Sequence, residues 1–116
     1  MSTFLTKYVD DNNNNAPTVI MNYDNSMKEY PKGCMLALKE VKDKSLLIWG
    51  QDYLIETSEY QITKRIQKGD DSHQIKAYST NSETYPDGRQ VYEPFSIPLS
   101  AIRRIFHVVG CAVKTC

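Results

Sequence analysis

The chain has 116 residues, and its 14 Lys plus Arg balance its 14 Asp plus Glu, so the formal net charge is zero. That balance argues against a free-standing nucleic-acid binder, which needs a basic excess to neutralise phosphates. No apolar run approaches the roughly eighteen residues of a membrane span, and no basic-then-apolar export signal opens the chain, so no membrane association is expected. With 41% hydrophobic and 24% charged residues, the composition is that of one globular domain able to bury about two thirds of its unfolded surface. The three cysteines, Cys34, Cys111 and Cys116, are odd in number and form no C-x-x-C pair. Neither a disulfide framework nor a zinc site is expected, and reduced thiols in a cytoplasm are the simplest reading. His73 and His107 have no acidic or cysteine cluster near them in sequence, so no metal and no cofactor are expected either.

Residues 1–17 read as a flexible arm or linker, because Asp10-Asp11-Asn12-Asn13-Asn14-Asn15 is too poor in apolar surface to offset its ordering entropy. From residue 18 to 116 the pattern is one domain of short apolar runs broken by turn residues, which predicts strands. The candidate strands cover 18–22, 34–41, 52–57, 59–68, 73–79, 94–98 and 105–113. Their punctuation is Pro31-Lys32-Gly33, Lys68-Gly69-Asp70-Asp71 and Tyr85-Pro86-Asp87-Gly88, and Gly69-Asp70 predicts a hairpin. Trp49, with Leu46, Leu47 and Ile48, reads as a core edge in preference to an interface patch. The stretch 98–103 offers at most one or two helical turns. Short strands with so little helix predict a mainly β, compact, coiled or barrel-like antiparallel domain.

Two residues carry the candidate chemistry. In a strand over 59–68, Tyr60, Ile62, Lys64 and Ile66 share one face, while Gln61, Thr63, Arg65 and Gln67 share the other. Lys64 is the one cation among these four apolar-face residues. Burial disfavours an ammonium, so a lysine placed there can be neutral near pH 7 and act as a general base; laying its stem on Ile62 and Ile66 with its head in water is the alternative. A base needs a nucleophile, and Ser26, in the loop-like Asp24-Asn25-Ser26-Met27, is the candidate.

The order Asn25-Ser26-Met27, Tyr30-Pro31-Lys32-Gly33, a strand, a hairpin and Ile62-Thr63-Lys64-Arg65-Ile66 resembles the C-terminal peptidase domain of LexA-type and phage CI-type repressors. Ser79-Thr80-Asn81 with Tyr85-Pro86, and the closing Ile105-Phe106-His107-Val108-Val109-Gly110, resemble the later motifs of the same family. The likeness spans residues 19–113. It implies the LexA C-terminal fold, with Ser26 as nucleophile and Lys64 as general base of a Ser–Lys dyad that cleaves its own chain by acyl transfer. It also implies a homodimer, DNA contact only through a separate helix-turn-helix domain, a RecA-like co-protease and a cytoplasmic regulator of transcription. Two departures stand out. Asp24-Asn25 replaces the Gly-Asp that precedes the serine in the family, and the chain contains no Ala-Gly or Cys-Gly dipeptide to cut. A non-catalytic dimerisation or interaction module with a degenerate site is the alternative function.

Overall fold

The computed structural model describes residues 6–7 and 18–112. Its strands are β1 (Thr6–Lys7), β2 (Thr18–Met21), β3 (Met35–Glu40), β4 (Asp52–Glu56), β5 (Gln61–Lys68), β6 (Gln74–Tyr78), β7 (Phe95–Pro98) and β8 (Arg104–Ala112). All lie in one 8-stranded sheet of order β1-β2-β3-β8-β4-β5-β6-β7, and every neighbouring pair is antiparallel. The helical elements among the described residues are two 3-10 turns, Lys44–Leu46 and Leu99–Ala101. The mainly β antiparallel expectation is met, with each predicted strand lying within two residues of its observed ends. Residues 113–116, and most of the expected arm, lie outside the described residues; within that arm, β1 pairs with β2.

Period-two alternation feeds two separate cores. On one face, Tyr53 and Ile55 of β4 pack with Ile66, Ile75, Ala77, Ile97, Ile102 and Ile105. On the other, Leu54 packs with Ile20, Cys34, Leu36, Leu38, Phe106 and Val108. The central strand β4 therefore buries both its faces, which explains why Asp52, Tyr53, Leu54 and Ile55 are all buried in succession. Thr63 follows Leu54, its cross-strand partner, so it is buried although its own strand face is polar by composition.

Strand β8 joins the halves of the sheet, pairing with β3 on one side and β4 on the other. Its pairing with β3 steps from Leu38↔Val108 to Ala37↔Gly110, leaving Val109 as an extra residue. This bulge takes up one residue of β8 and lets Leu36 and Leu38 both stay in the second core. Gly69 sits in the predicted β5–β6 hairpin, where a Cβ would lie 2.3 Å from the Gln74 carbonyl oxygen, so only glycine fits.

The core-edge reading of Trp49 is corrected. Trp49, Leu46 and Ile48 are exposed, at 46%, 68% and 56%, and only Leu47 of this run packs on the first core. The 3-10 turn at Lys44–Leu46 advances the chain too fast for adjacent apolar residues to face the same way.

Ile66→Ala and Ile105→Ala are expected to cost about 2–5 kcal/mol each, because each side chain is fully buried. Val109→Ala, at the exposed bulge, is expected to change stability by no more than about 0.5 kcal/mol. Urea unfolding of the three variants tests this ranking.

Candidate functional site

Strand β5 points Lys64 and Arg65 in opposite directions. Lys64 lies across from Tyr53, on the first-core face, and is only 6% exposed. The β5–β6 register pairs Arg65 with Tyr78, so the next step sets Ser79 opposite Lys64. There the Lys64 amine donates a hydrogen bond to Ser79 Oγ at 2.6 Å, and the Tyr92 ring centroid lies 5.8 Å from it. Burial pulls the Lys64 pKa below the ordinary 10.5, against the opposing pull of the Asp24 carboxylate.

Arg65, on the opposite face, straps down the serine loop. Its Nε donates to Asp52 Oδ1 at 2.8 Å and its Nη2 to Oδ2 at 3.2 Å, and the same Nη2 reaches Glu29 at 3.5 Å. The Tyr30 hydroxyl donates to Asp52 as well. Thr80 accepts from the Lys28 N–H at 2.8 Å and donates to Glu29 Oε1 at 2.6 Å. The Thr80 hydrogen bond is the main influence holding Glu29 below the usual carboxylate range, with Arg65 adding to it. Burial, then the hydrogen bond to Asp52, pushes the Tyr30 phenol above its ordinary value.

The loop itself is built around Asn22, which is 3% exposed. Its Nδ2 donates to the carbonyls of Asp24 (2.9 Å), Tyr30 (2.7 Å) and Pro31 (3.3 Å), and its Oδ1 accepts from the Asp24 N–H at 3.2 Å. The loop closes through Asn22 N–H to the Cys34 carbonyl and Gly33 N–H to the Asn22 carbonyl. Gly33 supplies a φ of +93° at the turn that returns the chain to β3. Across the gap, the Asn81 N–H donates to the Ser26 carbonyl at 2.8 Å. The Asn81 side-chain amide also donates to the Asn25 carbonyl, at 2.8 Å.

Ser26 is fully buried, and its Oγ has no hydrogen-bond partner among the described residues. Its N–H donates to Asp24 Oδ1 at 2.9 Å. Both sequence candidates thus converge on the strip 79–81: Lys64 through the Ser79 hydroxyl, Ser26 through the Asn81 backbone. They are not joined to each other by a hydrogen bond. A buried hydroxyl without a partner costs about 1–3 kcal/mol, and such a group calls for a reason outside folding.

Sequence reasoning singled out Ser26 and Lys64 but not the holding residues. Ser79 and Asn81 lie in a stretch that carries only the family likeness, and Tyr92 belongs to none of the motifs. Strand register alone would have set Ser79 beside Lys64; the signals for Asp24 and Tyr92 exist only in three dimensions. No His, Cys, Asp and Glu cluster suited to a metal occurs among the described residues. Cys34 and Cys111 are free thiols, burial pushing Cys34 up to about 12, while Cys116 lies outside the described residues. Among the described residues no helix is long and apolar enough to cross a membrane, which leaves β-barrel insertion unaddressed. No family model, no curated protein and no solved structure matches the chain.

Removing the Asn22 amide takes the side-chain donor from the Asp24 and Tyr30 carbonyls, while the Pro31 carbonyl keeps the Cys34 N–H. Asn22→Ala is therefore expected to lower stability by about 1–3 kcal/mol and to speed amide exchange across 23–33, read by hydrogen-exchange mass spectrometry. The lowered Lys64 pKa fixes a second expectation. Between the folded and the higher unfolded pKa, the unfolded chain binds more protons, so this group makes stability rise with pH in that window. Lys64→Met removes that slope. Its stability relative to wild type should be most favourable near pH 7 and should decline as pH approaches about 10.5, in urea melts at paired pH values.

Proposed function

We propose that this chain is a LexA-like regulatory domain of a transcriptional repressor that carries a Ser–Lys peptidase site, with Ser26 as nucleophile and Lys64 as general base. The observation that carries the reading is that a buried lysine amine, held by Ser79, and a buried serine hydroxyl without a partner among the described residues, on a loop stitched to Asn81, both converge on the strip 79–81. Burial supports a base role, because it raises the fraction of Lys64 that is neutral at a given pH. The ordered motifs from Asn25-Ser26-Met27 to Val109-Gly110 add the likeness to the repressor family.

The reaction follows from the chemistry of the two groups. Neutral Lys64 takes the Ser26 proton as Oγ attacks a peptide carbonyl, and the resulting ammonium returns a proton to the leaving amine. Water, deprotonated by the same lysine, then hydrolyses the acyl-enzyme. Ser79 acts as a positioning residue, fixing the lysine head through its hydroxyl. The reaction requires Ser26 Oγ to come within hydrogen-bond reach of the amine, a contact the two groups do not make here. Homodimerisation, a helix-turn-helix domain as the DNA reader, a RecA-like co-protease and a cytoplasmic setting belong to the same proposal.

The non-catalytic module is favoured by one observation, that Ser26 Oγ and the Lys64 amine do not hydrogen-bond each other. Reaction with a fluorophosphonate, followed by intact-protein mass spectrometry from pH 6 to 10, separates the two readings. The peptidase reading expects a single adduct on Ser26 that rises with pH and is absent in Ser26→Ala and Lys64→Met. Ser79→Ala is expected to slow labelling by roughly tenfold and to shift the pH midpoint, whereas Ser79→Thr restores both. A chain that stays unlabelled throughout this range, both as wild type and with Asp24 replaced by Gly, would leave the interaction module as the function.

A further inference from the structure

We propose that Asp24 is a built-in plug of this site: its carboxylate occupies the Ser26 N–H that a reacting oxyanion would use, and it must rotate away before the serine reacts. The inference rests on the Ser–Lys reading and concerns the regulation of that same site.

A serine nucleophile attacking a carbonyl develops negative charge on an oxygen close to its own backbone, and its own N–H is a usual donor to that oxygen. In this chain that N–H is already taken, by Asp24 Oδ1 at 2.9 Å. A carboxylate and an oxyanion cannot share the donor, because two negative oxygens would then sit about 3 Å apart in a partly desolvated site. The plug is mounted on a fixed base. The Asp24 N–H donates to Asn22 Oδ1 and the Asp24 carbonyl accepts from Asn22 Nδ2, so the backbone is held while the side chain keeps its torsional freedom. No Lys, Arg or His among the described residues forms an ion pair with Asp24, so rotation breaks no salt bridge there.

The same carboxylate acts on the other member of the pair. The groups facing Lys64 are Asp24 from the loop, Ser79 beyond β6, Tyr92 before β7 and Tyr53 on β4. Of these, Asp24 alone carries a carboxylate, and its influence favours the ammonium form that cannot act as base. One side chain therefore acts on both partners: it fills the donor beside the nucleophile and opposes the burial that favours the neutral base. Its rotation, when a substrate segment enters, frees the N–H and lets the lysine lose its proton.

The test compares wild type, Asp24→Gly and Asp24→Asn in reaction with diisopropyl fluorophosphate, by intact mass against time and pH. In this reaction Ser26 Oγ bonds to phosphorus, fluoride leaves, and the serine proton passes to Lys64. Asp24→Gly removes both restraints and is expected to label at least roughly tenfold faster than wild type at pH 7.5, with its pH midpoint lowered. Asp24→Asn keeps an acceptor for the Ser26 N–H but loses the charge, so it should lower the midpoint with a smaller gain in rate. If wild type labels and both variants label no faster, the plug is overturned and the Ser–Lys reading stands. If none of the three labels, the Ser–Lys reading falls and the plug with it. Should Asp24→Gly fail to fold, Asp24→Asn carries the test through a second readout. The Lys64 side-chain carbon shifts, titrated by NMR, must give a lower pKa in Asp24→Asn than in wild type, and an unchanged titration overturns the proposal.

Discussion

Two-residue alternation along β5 is the constraint on which the rest of the site depends. Consecutive side chains of a strand leave the sheet in opposite directions, so Lys64 and Arg65 cannot do the same work. Lys64 goes to the Tyr53 face and into partial desolvation. Arg65 goes to the face where Asp52 waits across the ladder. One strand thereby supplies both a buried amine and the strap that holds the serine loop. Shifting the β4–β5 pairing by one residue would exchange the two, leaving an always-charged guanidinium where the amine now sits.

The serine loop is held from three sides by groups of different kinds. Asn22 satisfies the loop carbonyls from inside, the Arg65–Asp52–Glu29 network holds its later half, and Asn81 grips its tip. Against that degree of hydrogen bonding, the Ser26 hydroxyl stands out as buried and without a partner among the described residues. A protein that satisfies the carbonyls of Asp24, Tyr30 and Pro31 with one buried amide did not lack the means to satisfy Ser26.

Much of the fold was legible in the chain because β structure writes a local signature. Apolar alternation between Pro, Gly, Asn and Asp marks strands, and the predicted spans agree with the observed ones to within two residues. What alternation could not reveal was the placement of β8 between β3 and β4, a pairing of segments far apart in sequence. Nor could it place Trp49, whose exposure follows from a tight 3-10 turn that turns Leu47 inward and its neighbours outward. For the site, the same rule identified Lys64 as the cation on the apolar face, and loop composition pointed to Ser26.

By itself, then, the sequence determined the class of fold, the face on which Lys64 lies and the loop that carries Ser26. These are properties of neighbouring residues, decided by backbone geometry and by the sorting of apolar from polar side chains. Only the tertiary structure decided that Ser79 receives the lysine amine, that Asn81 holds the serine loop and that Asp24 caps the Ser26 N–H. The first two join residues 15 and 55 or more positions apart; the third is local, yet hangs on one torsion angle. Contacts of that kind follow from how strands register and loops close, which composition and periodicity do not record.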